Sequence, residues 1–206
     1  MNIINGGTVT LTNSTVSNNS TNEDGGGIEN YATVMLINST VSNNSAEFNG
    51  GGINVGFDST VTLNSCLISG NSSSVTEGKE IYNSNSTVTS EGFNLFGHSD
   101  ESSAQAFYDF TPGGNDVVAT SDGTIPTALN ALLHPLADNG GPTKTHALVT
   151  GSPAVDLDAS CSTTELTTDQ RGYPRPLGEG CDAGSFEGSK PKLKAMPWRY
   201  LLLLKN

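Results

Sequence analysis

The chain has 206 residues, of which 15% are charged and 6% aromatic, with 24 glycines and a visible excess of Asn, Ser and Thr. Such a composition excludes a broad helical core, because the Leu, Ala, Lys and Glu that write amphipathic helices are too few. The formal charge of −12 is unevenly spread: 21 acidic and four basic residues precede Lys190, and five basic residues come after Glu187 without an acid. An acidic body repels phosphate backbones, which argues against nucleic acid as a partner.

Met1-Asn2-Ile3-Ile4-Asn5 lacks the basic start and apolar stretch of an export signal. The longest aliphatic run, Leu201 to Leu204, is far short of the ~20 residues of a membrane span. From Thr8 onward the chain repeats. Thr8-Val-Thr-Leu-Thr-Asn-Ser-Thr-Val-Ser-Asn-Asn19 recurs from Thr33 to Asn44, from Thr60 to Asn71 and, decayed, from Thr87 to Gly97, at offsets of 25, 27 and 27 residues. Between copies a second element recurs as Gly25-Gly-Gly-Ile28, Gly50-Gly-Gly-Ile53 and a weaker Gly78-Lys-Glu-Ile81.

Val9/Leu11, Val34/Leu36 and Val61/Leu63 alternate with the period of two that strands require. Alignment stacks Val16, Val41, Ile68 and Leu95 in one column and Ile28, Ile53 and Ile81 in another. Three short strands recurring every 25 to 27 residues make the rung of a right-handed parallel β-helix, an all-β solenoid. One rung cannot stand alone. Ordering ~25 residues costs on the order of 25–50 kcal/mol of backbone entropy, and about five inward aliphatics return only ~1.5–3 kcal/mol each. Asn19, Asn44 and Asn71 align at a corner, where Asn tolerates the left-handed conformation and stacked amides form a ladder. The Gly triplets fit a tight turn of positive φ. The sequons at Asn13 and Asn38 arise from repeat composition.

The pattern is already under way at Gly6, with no cap before it. This leads us to expect an N-terminally truncated solenoid whose upstream coils and export signal are missing, and whose open edge pairs with other chains. Residues 1–97 form the coils. Residues 98–189 form an irregular C-terminal capping region, with Phe107 to Phe110 as its apolar knot and Thr127 to Leu133 as a short helix or packed loop. Residues 190–206 are a basic, apolar tail expected to be disordered.

From Leu136 the wording becomes distinctive: Ala137-Asp-Asn-Gly-Gly-Pro-Thr-Lys-Thr-His146, Gly151-Ser-Pro-Ala-Val-Asp156, Thr168-Asp-Gln-Arg-Gly-Tyr-Pro-Arg-Pro176 and Cys181-Asp-Ala-Gly-Ser-Phe-Glu187. These motifs, in order over residues 130–187, resemble the choice-of-anchor Q domain that closes many bacterial surface β-helix proteins. The repeats resemble polymorphic-outer-membrane-protein-like and pectate-lyase-like β-helices. The resemblance implies an extracellular or cell-surface location on a bacterium and carries over no catalytic residue. The tail after Ser189 departs from the usual sorting signals, so the anchor is unassigned.

Cys161 and Cys181 flank the Asp-Gln-Arg-Gly segment, and a disulfide between them closes a loop of 20 residues, worth roughly 3 kcal/mol. Cys66 aligns with Ser14 and Ser39 and reads as an inert stacked thiol. A polysaccharide lyase needs a basic side chain on a groove face, and residues 1–97 contain only Lys79. A glycosidase needs paired acids, whereas Glu23, Asp24, Glu29, Glu47, Asp58, Glu77, Glu80 and Glu91 do not align between repeats and read as solvated turn acids. His98, His134 and His146 lack metal-site spacing. A Ca²⁺ ion at Asp156/Asp158 or Asp169/Asp182 is left open, beside the reading in which Asp169 and Arg171 form an internal ion pair. The expectation is a non-enzymatic adhesin-like or structural surface protein meeting polysaccharide or a host or cell-surface protein. The alternative is a fragment of a carbohydrate-active enzyme, a lyase or glycoside hydrolase, with its catalytic coils upstream.

Overall fold

A computed structural model describes residues 1–3, 7–161 and 166–188. Gly6 and the tail from Lys190 lie outside the described residues. The first coil holds β1 (Asn2–Ile3), β2 (Thr8–Thr12), β3 (Thr15–Ser17) and β4 (Ser20–Thr21). The second holds β5 (Ile28–Asn30), β6 (Thr33–Ile37), β7 (Thr40–Ser42) and β8 (Ser45–Ala46). The third holds β9 (Ile53–Val55), β10 (Thr60–Asn64), β11 (Leu67–Ser69) and β12 (Ser72–Ser73). Then come β13 (Ile81–Asn83), β14 (Thr87–Gly92), β15 (Leu95–Phe96), α1 (Ser103–Ala106), β16 (Phe107–Tyr108), β17 (Val117–Val118) and α2 (Leu129–Leu132).

The strands stack in parallel as a β-solenoid. Three sheets carry the main strands, in the orders β1-β5-β9-β13-β16, β14-β10-β6-β2 and β17-β15-β11-β7-β3. A fourth sheet, β12-β8-β4, is built from two-residue strands beside the glycine corners. The coils run on past Gly97, because β16 pairs with β13 and β17 with β15. Inward residues meet their counterparts one coil away: Val9, Val34, Val61 and Val88 are in register, as are Ile28, Ile53 and Ile81. Val34, Leu36, Val41, Ile53 and Ile68 are fully buried in this column, each stabilising by roughly 1.5–3 kcal/mol relative to exposure.

Two sequence expectations are corrected. Leu95 does not join the Val16–Val41–Ile68 column. The extra residue Glu91 lies between the pairings Leu63↔Ser90 and Asn64↔Gly92, so Ile68 faces Phe96 and Leu67 faces Leu95. Phe96 therefore points inward, packing edge-on against Phe107 and Phe110 with ring centroids 5.9 and 5.4 Å away. The left-handed corner residues are not Asn19, Asn44 and Asn71 but their predecessors Asn18, Asn43 and Gly70, at φ 58°, 56° and 79°. Turning the chain one residue earlier frees the next Asn to aim its amide at the adjacent coil.

The described residues of the C-terminal region lie along the outer face of the β3-β7-β11-β15-β17 sheet. Asn13 donates to the Thr168 carbonyl at 2.7 Å, and the Ser185 amide donates to Thr40 Oγ1 at 3.0 Å. Gly184 donates to the Ser65 carbonyl at 2.8 Å. Further along the same face, Leu67, Leu95 and Val117 pack against Leu132, Leu133, Ala154 and Ala183 as a second apolar cluster.

Glycines set the corner. Gly25 and Gly50 adopt φ 68° and 63°, while a Cβ on Gly51 would overlap the backbone of Ser72 in the next coil. Replacing Gly51 by Ala should cost about 1–3 kcal/mol in urea unfolding, as overpacked sites do. Gly114→Ala, with nothing within 4 Å of the new methyl, should leave stability unchanged. Equal values for the two would contradict this account of the corner.

Candidate functional site

The asparagine column is hydrogen-bonded from coil to coil. Asn19 Nδ2 donates to Asn44 Oδ1 and Asn44 Nδ2 to Asn71 Oδ1, both at 2.9 Å. The backbone N–H of Asn19 and of Asn44 donates to the same acceptors at 3.1 and 2.9 Å. At its far end Asn71 Nδ2 donates to Glu80 Oε2 at 2.6 Å, and the Gly70 amide donates to Glu80 Oε1 at 2.7 Å. Glu80 is fully buried, so its reading as a solvated turn acid is overturned. It shares a column with Gly27 and Gly52, since Ile28, Ile53 and Ile81 are in register. A Cβ on Gly27 or Gly52 would press on the amides of Asn44 and Asn71, at 3.0 and 2.9 Å. Glycine makes room for the ladder, and the glutamate fills that room to end it.

A second stack ends in the same way. Cys66 donates its amide to Asn94 Oδ1 at 2.8 Å, and Asn94 Nδ2 donates to Asp116 Oδ1 at 3.0 Å. The Cys66 thiol is sealed inside, and burial pushes it up to about 12. Beyond the first ladder, Glu80 meets His98 and Glu101, with one ligand atom from each within 4.8 Å of the others. Burial raises Glu80. Burial first and the Glu80 carboxylate second raise Glu101 to about 10. This acid pair is no glycosidase dyad, because both side chains are closed to a sugar.

In the flanking region carboxylates serve backbone donors that regular structure would otherwise satisfy. Asp169 Oδ2 accepts from Arg171 Nε at 2.8 Å and from the Glu187 amide at 3.0 Å, while Oδ1 takes the Tyr173 amide at 3.0 Å. The Arg171 guanidinium lies 3.6 Å from the Phe186 ring centroid and donates to the Glu187 carbonyl at 2.7 Å. Arg175 and Glu187 form a buried pair at 3.0 Å. Asp182 accepts from the amides of Asp156 and Gly188 at 2.7 and 2.6 Å. Asp158 accepts from Ser160. The Asp156/Asp158 and Asp169/Asp182 carboxylates thus turn to separate partners. Among the described residues only Glu80, His98 and Glu101 converge as three possible metal ligands. Cys161 and Cys181 are joined in a disulfide across this region. His146 is buried between Ser17 Oγ and the His134 carbonyl, both at 2.8 Å, and burial lowers its pKa. A glycan on Asn38 has no outlet, because only 8% of the residue is exposed.

Among the surface features open to a ligand, two carry aromatic rings. On the outer face of the β1-β5-β9-β13-β16 sheet, Tyr82 and Tyr108 stack with centroids 4.4 Å apart and planes 6° from parallel. They line a depression of about 600 Å³ with Ser84, Asn85 and Asp109. At the end of the solenoid, Phe107, Phe110 and Val118 border a cleft of about 630 Å³ rimmed by Asp116 and Asp122. No helix among the described residues is long and apolar enough to cross a membrane. No protein-family model, curated protein or solved structure matches the chain.

Burial first and the Glu187 carboxylate second raise Asp182 to about 7. The folded state therefore holds this proton more tightly than the unfolded chain, whose aspartates ionise near ~3.9. The resulting stability is complete below pH ~4 and is lost as pH rises towards 7. Asp182→Asn should flatten the fall in melting temperature over that window, by differential scanning calorimetry. Parallel profiles for the two proteins would contradict the assignment.

Proposed function

We infer that this chain belongs to a non-enzymatic, extracellular surface protein of a bacterium, in which the solenoid displays a glycan-contacting face. The observation that carries the reading is the outward Tyr82–Tyr108 stack. Each ring covers one face of the other, so the pair presents its edges, its hydroxyl tips and the outer face of Tyr108, which ends the sheet and is 41% exposed. That face and those hydroxyls match the C–H face and hydroxyls of a sugar ring. Ser84, Asn85 and Asp109 beside them supply donors and acceptors. Asp24 and Glu77 act on Tyr82 through their charge, so the face suits neutral glycans better than uronates. The choice-of-anchor resemblance of residues 130–187 supports a cell-surface setting, as does the Cys161–Cys181 disulfide, which favours an oxidising compartment.

The test is a screen of neutral and acidic polysaccharides that scores binding and depolymerisation together. Binding without cleavage is expected, and Tyr82→Ala or Tyr108→Ala should weaken it at least tenfold, about 1.4 kcal/mol. Cleavage would replace this reading with the carbohydrate-active enzyme. Binding that survives both substitutions would move the contact face elsewhere.

A further inference from the structure

The cluster where the asparagine ladder ends carries an unmet chemical demand. Glu101 is only 3% exposed, and no well-aligned N–H or hydroxyl donor reaches either of its carboxylate oxygens, which are left to the neighbouring Glu80 carboxyl. Glu80 is wholly buried a few ångströms away, and its oxygens are already turned to Asn71 and the Gly70 amide. Lys79 bears on Glu101 through its charge but forms none of the ion pairs found among the described residues. His98 Nε2 faces Glu101 Oε1 at 3.9 Å. The His98 side chain is 15% exposed, giving the cluster an edge on solvent.

We propose that Glu80, His98 and Glu101 form a binding site for one first-row divalent transition cation of the Zn²⁺ class. Two carboxylates and an imidazole are the donor set such ions prefer, whereas Ca²⁺ takes six to eight oxygens. Donor atoms around a tetrahedral Zn²⁺ lie about 3.3–3.6 Å apart, from bond lengths of about 2.0–2.2 Å. Closing His98 onto Glu101 from 3.9 Å therefore needs roughly half an ångström, and drawing in the whole set, spread over as much as 4.8 Å, needs up to about 1.5 Å. The Asp100 amide donates to His98 Nδ1 at 3.3 Å. A cation at Nε2 would exchange that contact for a new one, since the ring proton then sits on Nδ1 and the Asp100 carboxylate, now 3.8 Å away, closes in to accept it. The ion would join the corner before β13 to the turn between β15 and α1, and so clamp the terminal coil to the ladder. In the absence of a cation, the two glutamates relieve their repulsion by sharing one proton.

The experiment is isothermal titration of the full chain with Zn²⁺ and with Ca²⁺, alongside the visible spectrum of a Co²⁺ titration. The expected result is one equivalent of Zn²⁺ bound at micromolar concentration, a raised melting temperature, and no response to Ca²⁺. His98→Gln should weaken Zn²⁺ at least tenfold and abolish the Co²⁺ bands, while the exposed control His134→Gln leaves both intact. Glu101→Gln keeps the shape of the side chain and should lose Zn²⁺ affinity while the metal-free protein stays folded by circular dichroism. No saturable binding below 1 mM, or binding unaltered by His98→Gln and Glu101→Gln, would overturn the site and leave a proton-sharing acid pair. The glycan screen reads a different face, so either proposal can fail alone.

Discussion

Everything in this molecule depends on one constraint: a corner of a solenoid leaves polar groups pointing along the stacking axis, and each needs a partner in the next coil. Unpaired buried amides cost ~1–3 kcal/mol each, so a stack of coils is stable only if every corner passes its donors onward. The Asn19–Asn44–Asn71 ladder does so, each amide accepting from one neighbour and donating to the next. Such a chain must end on a group that accepts without needing to donate. A carboxylate is that group, and the fold uses it twice, with Glu80 ending one stack and Asp116 the other.

The same logic governs the flank. The described residues between 129 and 188 contain little regular structure beyond α2, so their backbone donors have no ladder to join. Asp156, Asp169, Asp182 and Glu187 take them instead, each accepting from one or more backbone amides. Arg171 and Arg175 offset the charge this gathers, and the disulfide ties the ends of the loop together. Acidity that looks like surface charge in the sequence is in large part internal scaffolding. The faces left free, with the Tyr82–Tyr108 stack on one of them, remain open for recognition.

The solenoid was legible because its period is simple: Val, Leu and Ile recur at offsets of 25 and 27 residues on the inward positions, and nothing else satisfies that recurrence. The asparagine column was legible for the same reason. The end of the ladder was not, because Glu80 stands where the repeat has glycine and looks like decay. Glu101 belongs to no repeat, so its meeting with Glu80 and His98 had no signal in spacing. The lateral course of the C-terminal region did leave one. Thr15 and Thr40 give way to Leu67, Leu95 and Val117 at one outward position, and an outward column turning apolar announces a cover. The single-residue insertion at Glu91 hid it, by making Leu95 look inward.

The ladder is the feature most exposed to a direct test. Asn44 is buried at its middle, with partners on both sides. Urea unfolding of Asn44→Ala should show a loss of about 2–4 kcal/mol, since donors and acceptors in three coils lose partners that water cannot replace. A loss below ~0.5 kcal/mol, the size of an ordinary surface change, would contradict the claim that corner-to-corner hydrogen bonding holds the coils in register.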